Sequence, residues 1–238
     1  MIVFPGAVIG GYSAKAVSAD GDDYLQRSSA IAGISDVTTG LLSFWVKSTF
    51  SDALRVIDDD SSHFVVNVAL DNILSIVANR SNGDLCLSMR TTSGLSTSGW
   101  NHVLAAWDLS ADALCKIYIN GSDDTSISIR DNQAIDYTTT GWTIGALNGA
   151  EDLLNLVGDM AELYFTTEWL DITDSAVRQT FAKNGRPVNL GSDGSRPTGT
   201  APLIYLKGPA SNWGTNAGSG GDFTVHGTFT DATTKPSY

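Results

Sequence analysis

The chain is poor in the residues that hold small domains together through covalent or metal bonds. Its 238 residues include only two cysteines and three histidines. Cys86 and Cys115 stand in apolar runs without CxxC spacing or a histidine nearby, which predicts buried thiols and disfavours a metal or nucleophile site. His63, His102 and His226 are too dispersed to indicate a zinc site or a catalytic triad. We therefore expect a hydrophobic core to hold the fold.

Basic residues are also scarce, since 14 Lys and Arg oppose 26 Asp and Glu, for a net charge of −12. An acidic chain repels nucleic acid and anionic membranes, so we expect neither as a partner. No apolar run reaches the roughly 18 residues of a membrane-spanning helix. Met1–Tyr12 is apolar but lacks the Lys or Arg that opens a secretory signal, so we expect it to stay on the chain.

Glutamate is much rarer than aspartate in this chain, and its only examples are Glu151, Glu162 and Glu168. The other acids are Asp, which favours turns and helix caps, and 24 glycines add to the turn-forming residues. Between these turn signals lie about a dozen short apolar or alternating runs, a spacing typical of a β-sandwich or barrel.

One pair of runs predicts a hairpin at the centre of a sheet. In Gly99–Asp108, GWNHVLAAWD, both strand faces carry apolar or small side chains, as in a strand buried on both sides. Cys115–Gly121, CKIYING, ends in Asn-Gly, which readily adopts the positive φ angles of a two-residue hairpin turn.

A single helix is predicted over Asp174–Asn184, with Thr173 as its cap and Gly185 and Pro187 as its stop. Residues 185–238 are rich in turns but keep apolar residues at strand spacing. We expect one domain over residues 1–238, comprising a jelly-roll core (15–166), a helix region (167–184) and a loop-rich extension (185–238) packed on the core.

The order of these segments resembles the laminin-G-like or concanavalin A-like jelly-roll superfamily. The residues that carry the resemblance are Ala16–Gln26, Gly40–Lys47, Gly99–Asp108, Cys115–Gly121 and Val157–Thr166. The resemblance implies an all-β, two-sheet antiparallel jelly-roll sandwich with one short helix in the C-terminal region. The closing strand departs from the family pattern, because Met160-Ala161-Glu162 stands where Ile-Asp-Glu is common.

Residues 185–238 resemble the C-terminal portion of such domains in tailed-bacteriophage proteins. That resemblance implies a non-enzymatic structural protein of the virion, either a head decoration or a head or tail fibre component. Such a protein would be made in the host cytoplasm and would contact capsid or tail subunits as a homo-oligomer. The alternative is a lectin-like adsorption module that binds a host-surface glycan.

Glycosidases share this fold, but the sequence does not favour hydrolysis. A retaining glycosidase places two carboxylates about 5 Å apart across the sugar bond. Asp159 and Glu162 are three positions apart on one strand, which predicts that they point to opposite faces. We expect no enzymatic activity.

Three sets of residues are candidates for contacts with a ligand, a metal or a partner. Tryptophans that border predicted loops suit sugar stacking, and these are Trp100, Trp169 and Trp213. No cofactor is expected, and structural calcium is the open alternative, for which acidic turns offer oxygen ligands: Asp20, Asp22, Asp23, Asp58 and Asp60. The apolar start of the chain suits contact with a partner subunit, through Ile2, Val3, Phe4, Val8 and Ile9.

Overall fold

The structure is a computed structural model that describes residues 12–59, 61–147 and 154–238. The strands in chain order are β1 Val17–Asp20, β2 Tyr24–Arg27, β3 Thr39–Lys47, β4 Leu54–Asp58, β5 Phe64–Val68, β6 Leu74–Asn79, β7 Leu85–Thr91, β8 Asn101–Asp108, β9 Lys116–Ile119, β10 Ser122–Asp123, β11 Thr125–Arg130, β12 Trp142–Ile144, β13 Val157–Thr166, β14 Ala182–Lys183, β15 Arg186–Pro187, β16 Ile204–Leu206, β17 Thr224–His226 and β18 Thr230–Asp231. The helices are α1 Ser175–Arg178 and two 3-10 turns, Asp112–Leu114 and Ala210–Asn212.

Two eight-stranded sheets form the fold. The first sheet has the order β10-β9-β8-β3-β13-β1-β18, with β16 also paired to β13, and the second has the order β11-β7-β6-β5-β4-β12-β2-β17. The strand pairs are antiparallel, and the main hydrophobic core is built from apolar residues of both sheets. The predicted all-β, two-sheet jelly-roll sandwich is confirmed.

The predicted central hairpin is β8 and β9. Strand β8 lies between β3 and β9, whereas Asn120 and Gly121, with φ of 53° and 83°, form the two-residue turn that joins β9 to β10. The Trp107 side chain lies in the main core, where its indole N–H donates to the Tyr137 hydroxyl at 2.8 Å. Gly40 of β3 faces this ring so closely that an added Cβ would overlap it.

The face of the first sheet that is turned away from the second sheet is called here the outer face, and it carries Ser43, Trp45, His102 and Leu104. Segments that follow β13 cover the outer face. Their apolar residues, among them Ile172, Phe181 and Leu190, pack against it in two smaller hydrophobic clusters. Burial lowers the pKa of His102 to about 3, and its Nε2 lies 3.0 Å from Ser43 Oγ. The outer face of this sheet is therefore a second, smaller core.

The predicted helix is much shorter than expected. It runs only from Ser175 to Arg178, and Asp174 rather than Thr173 caps it by accepting from the Ala176 N–H at 2.8 Å. Residues 179–181 of the predicted helix form turns, and 182–184 form the first half of the hairpin β14–β15, with φ of 51° at Asn184 and 69° at Gly185. The prediction was wrong about this stretch because Asn-Gly favours a two-residue hairpin turn, which outweighs a marginal helical period.

Residues of the C-terminal extension complete both sheets. Strand β16 pairs with β13, β17 with β2 and β18 with β1. The buried Asn216 amide holds the connecting loop, since it donates to the Leu203 carbonyl at 2.8 Å and accepts from the Tyr205 N–H at 2.7 Å. Within the described ranges, no helix is long and apolar enough to span a membrane.

Candidate functional site

A β-bulge at Glu162 is the main irregularity of β13. The register against β3 shifts between Ala161, which lies opposite Trp45, and Tyr164, which lies opposite Ser43. Glu162 is the extra residue and has a φ of 51°, a left-handed conformation that is unfavourable for a side chain of this kind. Because of the bulge, Ala161 and Glu162 both lie on the outer face.

Two tyrosines hold the Glu162 carboxylate in place of water. Its side chain is only 3% exposed, and it accepts from Tyr205 Oη at 2.6 Å and from Tyr12 Oη at 2.7 Å. Burial raises the pKa of Glu162, whereas the two phenols and the nearby Lys207 charge act in the opposite direction. Burial, followed by the charge of Glu162, also raises the pKa values of Tyr12 and Tyr205.

The bulge corrects the expectation that Asp159 and Glu162 point to opposite faces. Asp159 lies 3.7 Å from the Nζ of Lys47, whose ammonium also donates to Thr234 beside the outer-face residue Trp100. Both acids therefore point to the outer face, because the inserted residue shifts the alternation of the strand. Each has its own partner, and neither lines the recesses around Tyr12.

Three adjoining recesses meet at Tyr12. The first, of about 350 Å³, lies between Ser13 and the end of the chain near Lys235. The second, of about 660 Å³, follows the β14–β15 hairpin as far as Arg196. The third, of about 270 Å³, lies between Lys15 and Lys207. The first two volumes lie within the range of small-ligand sites, about 300–1,000 Å³, and the third lies just below it.

The recesses are lined by cations, although the protein is acidic. Six basic side chains, called here the cationic rim, line them: Lys15, Lys183, Arg186, Arg196, Lys207 and Lys235. No Asp or Glu is among the described residues that line them. None of the six takes part in an ion pair with any described residue. These cations therefore lack a close ion-pair partner among the described residues, although the Lys207 charge acts at longer range on the carboxyls of Glu162 and Asp193.

Neutral oxygens hold three of the rim side chains. Lys207 Nζ donates to the Gly191 carbonyl at 2.7 Å and lies 4.8 Å from the centre of the Tyr205 ring. Arg196 donates to the Asn189 carbonyl at 3.0 Å, and Lys235 donates to Ser13 Oγ at 2.7 Å. These contacts orient the cations without neutralising them, so the recesses can accept an anionic group.

The three candidate tryptophans lie apart from the recesses. Trp100 is 5% exposed and donates from its indole N–H to Thr234 Oγ1 at 3.1 Å, and Trp213 is 1% exposed in the main core. Trp169 is half-buried, with its indole N–H donating to the Leu114 carbonyl at 3.0 Å. All three border loops as predicted, but Thr234 of the C-terminal extension covers Trp100 and the main core buries Trp213, so a role of these residues in sugar stacking stays a prediction.

The acidic turn residues serve as backbone acceptors rather than as a cluster. Asp23 is buried and accepts from the backbone N–H groups of Asp20 and Thr228, while Asp20 and Asp22 lie exposed in the same turn. In the part of the chain that the structure describes, no three His, Cys, Asp or Glu residues are arranged to hold a metal ion. The structure therefore does not group these acids into a calcium site.

Asp58 lies in a buried position instead of a solvated loop. Its Oδ1 accepts from the Asp59 N–H at 2.9 Å, and its Oδ2 lies 3.4 Å from the Nε of Arg55. Burial raises the pKa of Asp58 to about 6, despite the opposing charge of Arg55. Asp60 lies outside the described residues, as do the candidate partner contacts Ile2, Val3, Phe4, Val8 and Ile9.

Sequence reasoning missed the cationic rim and the role of Glu162. The rim draws on four distant parts of the chain, around residues 15, 183–196, 207 and 235. No local spacing marks such a group. One weak signal was present, because residues 185–238 contain four Lys and Arg against three Asp, whereas the chain as a whole is strongly acidic.

Comparison with known proteins assigns the greater part of the chain, though not the segments that carry the cationic rim, to a family. Residues 19–171 match the family model described as the concanavalin A-like lectin/glucanase superfamily. No curated protein matches the chain. A Bacteroides ovatus protein to which carbohydrate binding has been ascribed has a similar structure, with a TM-score of 0.68 and 15% identity over 94% of this chain and 62% of that one.

A second solved structure with this fold is the native heptameric SAP-like pentraxin from Limulus polyphemus. Its TM-score is 0.55, with 15% identity over 92% of this chain and 95% of that one. At these identities the two similarities show the fold alone, and the chain spans less than two thirds of the Bacteroides protein. The family match covers more than half of the chain. This protein belongs to the concanavalin A-like lectin/glucanase superfamily.

Proposed function

We propose that this protein is a non-catalytic, lectin-like module that binds a saccharide in the recesses around Tyr12. The observation that carries the proposal is the set of three adjoining recesses lined by unpaired basic side chains. Concave sites with a few oriented polar groups are the usual form of a small-ligand site. The carbohydrate binding ascribed to the Bacteroides ovatus protein of similar fold supports the ligand class.

The carboxylates of β13 also support binding rather than hydrolysis. A glycosidase needs one acid that can donate a proton and one carboxylate that faces the sugar. Here Glu162 is covered by Tyr12 and Tyr205, and Asp159 is paired with Lys47. Both groups are engaged by the protein itself and lie outside the lining of the recesses.

A glycan array that carries neutral and acidic oligosaccharides tests the proposal. We expect saturable binding to a subset of glycans and no release of reducing ends after prolonged incubation. The absence of binding to any saccharide would overturn the proposal, and turnover of a bound saccharide would overturn its non-catalytic part.

A second candidate is the structural role in a tailed-phage particle that the C-terminal resemblance implies. Neither of the solved structures named above is a virion protein, so the virion location, the capsid or tail partners and the homo-oligomer stay predictions. An assembly role is favoured by an apolar surface, because Leu70 is 69% exposed and lines a recess of about 460 Å³ with Leu154 and Val157.

Sedimentation velocity tests the assembly role. We expect the protein to self-associate at high concentration and Leu70→Ser to weaken that association while saccharide binding is unchanged. A strictly monomeric protein that is also absent from purified phage particles would remove this candidate.

A further inference from the structure

We propose that the ligand of the cationic rim is an acidic saccharide, with carboxylate or sulfate groups bound by the rim side chains. This inference rests on the proposed function and specifies its substrate class. It requires a ligand with several separated negative charges, because the rim surrounds three recesses rather than one.

The first argument is the distribution of charge. The protein has nearly twice as many acids as basic residues, so a random stretch of its surface would contain more carboxylates than cations. Around Tyr12 the described lining has six cations and no carboxylate. Outside the rim, five basic residues have an acidic partner, namely Lys47, Arg55, Arg80, Lys116 and Arg130, whereas Arg27, Arg90 and Arg178 form no ion pair with a described residue. An anionic ligand would supply the missing partners of the rim.

The second argument is an unfavourable charge pair in the β14–β15 hairpin. Lys183 and Arg186 are exposed and lie directly opposite each other in the register of this two-residue-turn hairpin. Like charges at such positions repel and destabilise a hairpin. Both residues line the second recess, where an anion between them would turn the repulsion into two attractive contacts. A bound anion would therefore account for the pair.

The third argument concerns preorganisation. The Tyr12 hydroxyl donates to the buried Glu162, which fixes the residue at which the recesses meet. Lys207, Arg196 and Lys235 are held by neutral oxygens. Side chains that are already ordered lose less conformational entropy when a ligand binds. The rim is thus built to bind anionic groups at fixed positions.

An acidic saccharide suits this surface better than nucleic acid or a membrane does. Single-stranded nucleic acid is bound through exposed aromatic faces, and Tyr12 is the only aromatic residue in the described lining, half-buried and tied to Glu162. The overall charge of −12 repels long polyanions and vesicles at a distance. Short-range binding within the recesses is less affected, because salt screens that repulsion beyond about 10 Å.

Isothermal titration of the full chain provides the test. The probes are an oligogalacturonate, a short dextran sulfate, and neutral maltooligosaccharides and dextran of matched length. We expect both acidic probes to bind and the neutral ones not to bind. Raising the salt from about 0.05 M to about 0.5 M should weaken the binding strongly.

Variants locate the site. The double variant Lys183→Gln/Arg186→Gln should lower the affinity for the acidic probes by about tenfold or more, the effect of losing one charged hydrogen bond. The double variant Lys15→Gln/Lys207→Gln tests the third recess, and we expect a similar loss of affinity for the acidic probes. The matched control is Arg90→Gln, since Arg90 is exposed on the second sheet outside the rim; it should leave the affinity within about twofold, as expected for a distant surface charge.

The outcomes separate this inference from the proposed function. Binding of neutral saccharides with no effect of the rim variants would overturn the inference and leave the lectin-like function standing. A failure to bind any saccharide would overturn both. Tighter binding of single-stranded DNA or of phosphatidylserine vesicles, with the same loss in the double variant, would overturn the acidic saccharide as the occupant. Intact thermal melting of each variant shows that lost binding is not lost folding.

Discussion

Polar groups on the outer face of the first sheet and those around the recesses differ in how they are partnered. On the outer face, Glu162 accepts from two phenols and His102 lies against Ser43 beneath covering chain. At the recesses, Lys183 and Arg186 are exposed, unpaired and close to each other. The difference supports the proposal that the charge near Tyr12 serves a ligand, whereas the buried polar groups serve the fold.

This comparison yields a simple expectation for mutants. Changes to the buried polar groups should lower stability and leave the affinity of the folded protein nearly unchanged. Changes to the cationic rim should lower affinity and leave stability unchanged or slightly higher. Three predictions, in order of decreasing effect, sharpen or break the comparison.

The largest expected effect concerns His102 in acid. Its pKa is lowered by burial to about 3, from 6.5, so below pH 6.5 the unfolded chain takes up a proton that the folded chain does not. Stability contributed by the neutral histidine is therefore present above pH 6.5 and is lost as the pH falls, by up to about 1.4 kcal/mol per pH unit. Urea unfolding between pH 7 and pH 4 should show this slope.

His102→Gln isolates the histidine from other titrating groups. This variant keeps a polar group near Ser43 but does not titrate, so its stability should depend less on pH than that of the native protein in the same range. An equal slope in both proteins would mean that His102 is not the group responsible for acid unfolding.

The second prediction concerns Glu162. Replacing it with Ala leaves the hydroxyls of Tyr12 and Tyr205 without their acceptor and should lower the free energy of unfolding by about 3 kcal/mol. Glu162→Gln keeps an acceptor oxygen and should cost less. The control is Glu168→Ala, an exposed acid near the end of β13, for which we expect a loss within about 0.5 kcal/mol. Equal losses in the Glu162→Ala and Glu168→Ala variants would contradict the assigned role.

The smallest expected effect is a gain. Lys183→Gln removes the repulsion between Lys183 and Arg186 and should raise the free energy of unfolding by about 0.3 kcal/mol. Thermal melting at low salt measures the gain, and added salt should reduce it because screening already weakens the repulsion. A marked loss of stability would show that Lys183 supports the hairpin and would weaken the case for a ligand there.

The elements that the sequence predicted well are those with a local cause. The central strand β8 followed from apolar residues on both faces of 99–108, and the turn between β9 and β10 followed from Asn120-Gly121. The helix prediction failed over 179–184 for a related reason, since a second Asn-Gly pair at 184–185 makes a hairpin there. In both places the short-range preference of Asn-Gly for positive φ decided the structure.

By itself, the sequence determined the strand periods, the turns and therefore the two-sheet fold, because these depend on neighbouring residues. Only the tertiary structure decided which polar groups are partnered. The bulge at Glu162 depends on its pairing with β3 and on two tyrosines from residues 12 and 205, and the burial of Trp100 depends on the extension at Thr234. The cationic rim joins residues from 15 to 235, and long-range contacts of this kind leave no pattern in a local stretch of sequence.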